Sequence, residues 1–243
     1  MRKIIVITGA SRGLGLALTK RFLDAGDTVF GISRTRKYWP AARQAVSSDR
    51  FKLLAGDITS EKTVKTLLAG IKRRAGRIDI LINNAGYCAP PANVETISLQ
   101  EFRKHFVQNL ETMFLMCKHA IPAMKKQPRA LIMNISSMAG TRAVPRLAPY
   151  SAAKFGVLAL SQAIAQENVQ TGLQCITVCP GGMNTEMRRK LFGVEDAARQ
   201  QTPEFVSDII LQIAEGKIAV LSGGHIIIRH SKITGIFPPP AAL

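Results

Sequence analysis

The sequence predicts an α/β fold, a doubly wound parallel seven-stranded sheet with helices on both faces. Three observations predict it. Apolar runs rich in β-branched residues recur along the chain, and helix-compatible stretches alternate with them. Several of the runs are also continuously apolar, as expected when both faces of a parallel sheet are covered. The strands are expected at Ile4 to Thr8 (IIVIT), Thr28 to Ser33, Phe51 to Leu54, Ile78 to Asn83 (IDILIN), Ala130 to Ile135 (ALIMNI), Cys175 to Cys179 and His225 to Arg229. Helices are expected near 14–26, 60–75, 100–125, 150–170 and 203–215.

With 243 residues, 47% of them apolar, the chain is long enough for one sizeable core, and 1–243 reads as a single domain. Residues 183–203 read as a substrate lid, and 236–243, which end in FPPPAAL, as an extended arm that cannot continue a helix or a central strand. The start, MRKIIVITGA, carries an apolar run too short for a secretory signal, and no run approaches the roughly 18 residues of a membrane span, so a cytoplasmic protein is expected. Cys88, Cys117, Cys175 and Cys179 have no metal-ligand spacing and read as reduced core thiols, Cys175 and Cys179 on one strand face. The formal charge of +17 favours anionic ligands. The cations are scattered and the aromatics few, which argues against a dedicated nucleic-acid surface.

The first strand runs into TGASRGLG, Thr8 to Gly15, and a helix opens directly after it. Gly9, Gly13 and Gly15 allow a tight turn and close backbone approach to a diphosphate, while the helix N-terminus supplies unpaired N–H groups. The strand–turn–helix context makes this a Rossmann-like dinucleotide site. At the end of the second strand stands Ser33, where an acid would grip a ribose 2′-hydroxyl, followed by Arg34. Arg12 is a second cation in the turn. Two guanidiniums suit a 2′-phosphate, so NADP(H) is the expected cofactor.

YSAAK places Tyr150 and Lys154 one helical turn apart with only small residues between them. A free phenol titrates near 10, too high for efficient acid–base work at neutral pH, and a neighbouring ammonium is expected to lower it.

Together, the glycine turn and YSAAK resemble the classical short-chain dehydrogenase/reductase family from Ile4 to about Thr185. GDIT places Asp57, followed by Ile58, at the acid that contacts adenine in that family. NNAG resembles the stretch beside the cofactor, with Asn84, Ala85 and Gly86. QNLETMF carries Asn109 at the family's helix asparagine. In NISSMAG, the spacing to Tyr150 selects Ser137 over Ser136 as the catalytic serine. PGGMNT resembles the loop that holds the nicotinamide carboxamide, with Pro180, Gly181 and Thr185. The resemblance implies that Tyr150 exchanges a proton while the nicotinamide exchanges a hydride, that Ser137 orients the substrate oxygen, that Lys154 also bonds the nicotinamide ribose, and that Asn109 anchors a proton relay. Ser11 and Leu14 complete the cofactor turn.

The chain is therefore expected to be an NADPH-dependent carbonyl reductase or alcohol dehydrogenase. A cofactor-sensing or nucleic-acid-binding protein on the same fold is the alternative. Cys88 to Pro91, Met138, Val144, Pro145 and Met183 to Gly193 should border the substrate pocket. Their apolar character suggests a hydrophobic or acyl carbonyl substrate, and Arg188, Arg189 and Lys190 could recruit an acyl thioester on an acidic carrier. Where many relatives carry an Asp-Gly-Gly signature, this chain has Arg229 and His230. That weakens the case for the usual tetramer but leaves a homodimer through the long helices, or a homotetramer, as the expected assembly. His225 and His230 read as surface histidines.

Overall fold

The computed structural model describes residues 2–240. Its strands are β1 (Ile4–Thr8), β2 (Thr28–Ser33), β3 (Phe51–Ala55), β4 (Ile80–Asn83), β5 (Ala130–Ile135), β6 (Leu173–Pro180), β7 (His225–Arg229) and β8 (Lys232–Phe237). They form one eight-stranded sheet in the order β3-β2-β1-β4-β5-β6-β7-β8. Neighbours are parallel from β3 to β7, and β8 returns antiparallel beside β7.

The seven expected strands are all present; β8 corrects the count to eight. It also corrects the arm, because Ile236 and Phe237 belong to β8 and only the prolines from Pro238 onward lack regular structure. Residues 241–243 lie outside the described residues. The hairpin forms because His230 and Ser231 both adopt the left-handed backbone a two-residue turn needs, each with φ of 52°. Phe237 then stacks on His225, ring centroids 4.8 Å apart, so His225 is half-buried rather than a free surface group, and burial lowers its pKa.

The helices are α1 (Gly13–Asp24), α2 (Trp39–Ala45), α3 (Glu61–Ala75), α4 (Leu99–Phe106), α5 (Thr112–Met124), α6 (Ala148–Glu167), α7 (Glu186–Phe192), α8 (Val194–Ala198) and α9 (Pro203–Ala214). Successive strand residues point to opposite faces, and two cores result. Ile5 and Ile7 join Ile80, Ile82, Met133, Ile135 and Ile176 in a core that packs against Leu18, Phe22 and Ile210 of α1 and α9. Val6, Leu81 and Ile132 join the opposite core with Leu68, Met116 and Val157 of α3, α5 and α6.

The central strands β1, β2, β4, β5 and β6 are buried on both faces, which explains their unbroken apolar runs. Among the described residues no helix is long and apolar enough to cross a membrane, and no group of acids, histidines or cysteines could hold a metal. The four cysteines are free; Cys117, Cys175 and Cys179 are buried.

Candidate active site

A cleft of about 440 Å³ opens where β1 and β4 part, along the C-terminal ends of the parallel strands. That is where ligands bind in open α/β sheets. One end is lined by Ser33, Arg34, Asp57 and Ile58, the other by Asn109, Ser136, Tyr150 and Lys154. Gly9, Ser11, Arg12, Gly13 and Leu14 line the floor between them, with Asn84, Ala85, Gly86 and Thr185.

The floor is shaped by backbone. Gly9 has φ of 69° and Gly13 φ of 51°, conformations that favour glycine. A β-carbon at Gly9 would stand 3.0 Å from Asn84 Nδ2, and one at Gly15 would overlap the Gly9 carbonyl oxygen. Gly15 is thus set back from the cleft as the packing glycine between helix and turn. No side chain caps α1, whose N-cap residue Arg12 is extended, so the first-turn N–H groups face the cleft floor uncapped. Thr8 fixes the opposite wall: its hydroxyl accepts from Asn84 N and Ala85 N, both at 3.0 Å, and its carbonyl accepts from Asn84 Nδ2 at 2.9 Å.

At the outer end the expected residues differ in what they have free. Arg34 is exposed and has no acidic partner among the described residues. Ser33 is buried, and its hydroxyl is already engaged, accepting from Trp39 Nε1 at 2.7 Å and donating to the Thr35 carbonyl at 3.1 Å. Asp57 accepts from Thr59 N and Thr59 Oγ1 through one carboxylate oxygen, which leaves the other free. Arg12 reaches across to α7: its Nη1 is 2.7 Å from Glu186 Oε2 and 3.3 Å from the Tyr38 hydroxyl. Lys190 first, then Arg12, holds the Glu186 carboxyl down at about 2. Tyr38 escaped the sequence reading, and Glu186, inside the segment expected to border the pocket, was not expected as a partner of Arg12, because contacts across 26 and 174 residues leave no local pattern. Gln108 and Tyr87, which also line the cleft, escaped it too.

At the inner end Tyr150 and Lys154 project from the first turns of α6. Lys154 is 4% exposed, and its Nζ donates to the Ile135 carbonyl at 2.9 Å. Burial pulls its ammonium down from 10.5 to about 8. The two serines separate: Ser136 lines the cleft and its Oγ donates to the Lys154 carbonyl at 2.8 Å, whereas Ser137 does not line it, accepts from Ala139 N at 3.1 Å, and lies close enough to the Tyr150 phenol to lower that pKa.

The expectation that Lys154 lowers the phenol needs correction. Burial raises the Tyr150 pKa, Cys88 reinforces the rise, and the Ser137 hydrogen bond only partly opposes it. Lys154 Nζ stands 5.8 Å from the Tyr150 ring centroid, and both groups are desolvated, so the cost of a buried phenolate prevails. Burial also pushes the Cys88 thiol up to about 11, so it stays protonated beside them.

Asn109 sits in a π-helical turn, Val107–Glu111, between α4 and α5, an irregularity frequent at functional sites. Its amide donates to the Tyr87 and His105 carbonyls and accepts from Tyr87 N, and this fixes the loop after NNAG. Pro180 and Gly181 do not line the cleft. Gly181 N bonds the Ile228 carbonyl at 2.8 Å, and the pair ends β6 just before Met183 and Thr185, which do line it. Thr185 accepts from Arg188 N as the N-cap of α7, and its methyl would lie 3.6 Å from a β-carbon at Gly13. In the segment 183–203, Arg188 pairs with Asp196, Arg189 with Asn184 and Lys190 with Glu186.

The Lys154 shift gives a test. A base with a lowered native pKa leaves the unfolded chain binding more protons between about 8 and 10.5, so stability rises with pH across that window. The destabilisation is fully present below about pH 8 and fades toward 10.5. Denaturation of wild type and Lys154→Met is expected to show wild type gaining on the order of 3 kcal/mol relative to the variant over this window. A pH-independent difference would contradict the burial of a charged ammonium.

The chain matches the family described as short chain dehydrogenase over residues 3–196. It is 32% identical to L-fucose dehydrogenase from Bos taurus over 78% of its own length and 69% of that protein. It is also 32% identical to NADPH-dependent pterin aldehyde reductase from Arabidopsis thaliana, over 83% of each chain. Among solved structures, it resembles 3-ketoacyl-(acyl-carrier-protein) reductase from Brucella melitensis complexed with NADH, with a TM-score of 0.86 and 25% identity over 93% of this chain and 96% of that one. It also resembles ElxO with NADP bound, with a TM-score of 0.85 and 25% identity over the same shares. The chain belongs to the short chain dehydrogenase family, oxidoreductases that act on CH–OH and C=O groups.

Proposed function

We propose that the protein is an NADPH-dependent carbonyl reductase, equally an alcohol dehydrogenase in reverse, with Tyr150 as its acid–base. One observation carries this reading: Tyr150 and Lys154, with Ser136 and Asn109, line one end of a cleft whose other end presents Arg34. Bound there, a nicotinamide dinucleotide supplies or accepts the hydride. Gly9, Ser11, Gly13 and the first turn of α1 would hold its diphosphate, Asp57 and Ile58 its adenine end, and Thr185 its carboxamide.

The raised phenol stays protonated but is a weaker acid than a free one, so proton transfer relies on the charge that develops on the substrate oxygen and on the Lys154 cation. Tyr150 is protonated at neutral pH, so it can donate its proton to the oxygen of a carbonyl as charge develops there. Ser137 shares that oxygen and orients it. Lys154, still charged below about pH 8, stabilises the phenolate left behind. Asn109, by pinning the loop at Tyr87, keeps the wall of this end in place.

Arg34 and the lack of an acid at Ser33 favour NADP(H), as do the NADPH in one relative's name and the NADP bound in one similar structure. Arg12 can join only by leaving Glu186. Arg34→Leu is expected to lower kcat/KM for NADPH by roughly 10- to 100-fold, the worth of one charge-assisted hydrogen bond, while NADH is little affected. Higher efficiency with NADH in wild type would refute the coenzyme assignment. Substrate class is tested by NADPH oxidation over β-ketoacyl thioesters, quinones, sugars and small ketones. The acidic-carrier reading loses ground, because all three cations it invoked already have partners within or beside α7. Exposed Phe102, Phe114 and Phe155 on α4, α5 and α6 support a homo-oligomer, which a sedimentation mass of 26.4 kDa would oppose.

A further inference from the structure

Beyond the cleft lies a groove of about 400 Å³ between the loop before α6 and the outer end of α7. Its apolar walls are Pro91, Val144, Pro145 and Leu147 on one side and Leu191 and Phe192 on the other. Arg146 is its one charged lining residue. Groove and cleft are successive stations along the same two helices. On α7, Met187 lines the cleft and Leu191, one turn further on the same helix face, lines the groove. On α6, Tyr150 lines the cleft, and Leu147, at the helix N-cap, lines the groove.

Arg146 is an unusual residue to find there. It is exposed, its backbone is left-handed with φ of 65°, and its carbonyl accepts from Ala92 N at 2.9 Å, which ties this loop to the segment after Cys88. Its guanidinium reaches only the Pro91 carbonyl, at a long 3.4 Å, and no acid among the described residues pairs with it. Glu101 lines the hollow on the other side of Arg146 but lies against Lys104, 3.7 Å from its Nζ. The neighbouring cations Arg188, Arg189 and Lys190 are all engaged, so Arg146 offers its charge to whatever enters the groove.

We propose that the groove receives the distal part of an elongated apolar carbonyl substrate and that Arg146 pairs there with an anionic group at its end. The assignment deepens the reductase reading and rests on it. A guanidinium at the rim of an apolar trough selects for an acyl-like chain that carries a terminal carboxylate. Along either helix the two stations are about one turn apart, roughly 5–6 Å, which a five-methylene spacer bridges.

A matched pair of probes tests this. 7-Oxooctanoate and octan-2-one share the methyl ketone and the spacer and differ only in the terminal carboxylate. Wild type is expected to favour the keto acid by about tenfold or more in kcat/KM, mostly through KM. Arg146→Asn, which keeps a side chain tolerant of the left-handed backbone, should abolish that preference and leave octan-2-one unchanged, and Arg146→Lys should restore part of it. Equilibrium binding of octanoate should weaken by about tenfold in Arg146→Asn, with octan-1-ol unaffected. Equal use of the two ketones by wild type, or an equal loss for both in Arg146→Asn, overturns the groove assignment and leaves the reductase reading standing. Failure to reduce either ketone, or any other carbonyl, overturns both.

Discussion

Tyr150→Phe is expected to lower kcat by roughly 10²- to 10⁴-fold, the span of a lost general acid. Dinucleotide affinity should stay within about a factor of 3, under 1 kcal/mol. The substitution removes one oxygen and keeps the ring, so the packing of α6 beside the cleft survives. What disappears is the phenolic proton at the inner end of the cleft. Single-turnover rates with dinucleotide binding followed separately would decide the matter. Retained turnover would remove Tyr150 from the chemistry, and loss of binding in step with turnover would make its role structural.

The strands were the most legible part of the fold, because burial on both faces writes itself into unbroken apolar runs such as ILIN and ALIMNI. The strand β8 was not, since KITGIF mixes charged, polar and glycine positions on an edge where only partial burial is required. The short α2 hid behind a cluster of basic residues. At the site, motifs with fixed local spacing were legible: the glycine turn, and Ser137 and Tyr150 with Lys154. Two kinds of fact were not. Partnerships across the chain, such as Arg12 with Glu186, depend on the tertiary arrangement. The direction of the Tyr150 shift depends on how much water two neighbours lose, and their spacing along a helix does not contain that quantity.

Gly15→Val is the second large effect, expected to abolish dinucleotide binding and to destabilise the fold by about 1–3 kcal/mol, the cost of overpacking a tight contact. Any β-carbon there meets the Gly9 carbonyl and the Asn84 amide, and that amide is held by the Thr8 carbonyl at the end of β1. Gly9 N donates to the Ile32 carbonyl at 2.8 Å, so the turn cannot shift without breaking its bond to the end of β2. Relief must come from α1 swinging away from the sheet, which moves its N-terminus off the cleft floor. Thermal unfolding with and without dinucleotide reads both consequences. A stabilisation by dinucleotide equal to that of wild type would contradict the placement of this helix end.

Trp39, the chain's one tryptophan, donates its indole N–H to Ser33 at the rim of the cleft, with Arg36 and Arg43 each within 5.5 Å of its ring. Its emission therefore comes from a single known address beside Arg34. Quenching or a colour change on titration would report events at that address without any attached label, and would leave the distant groove silent.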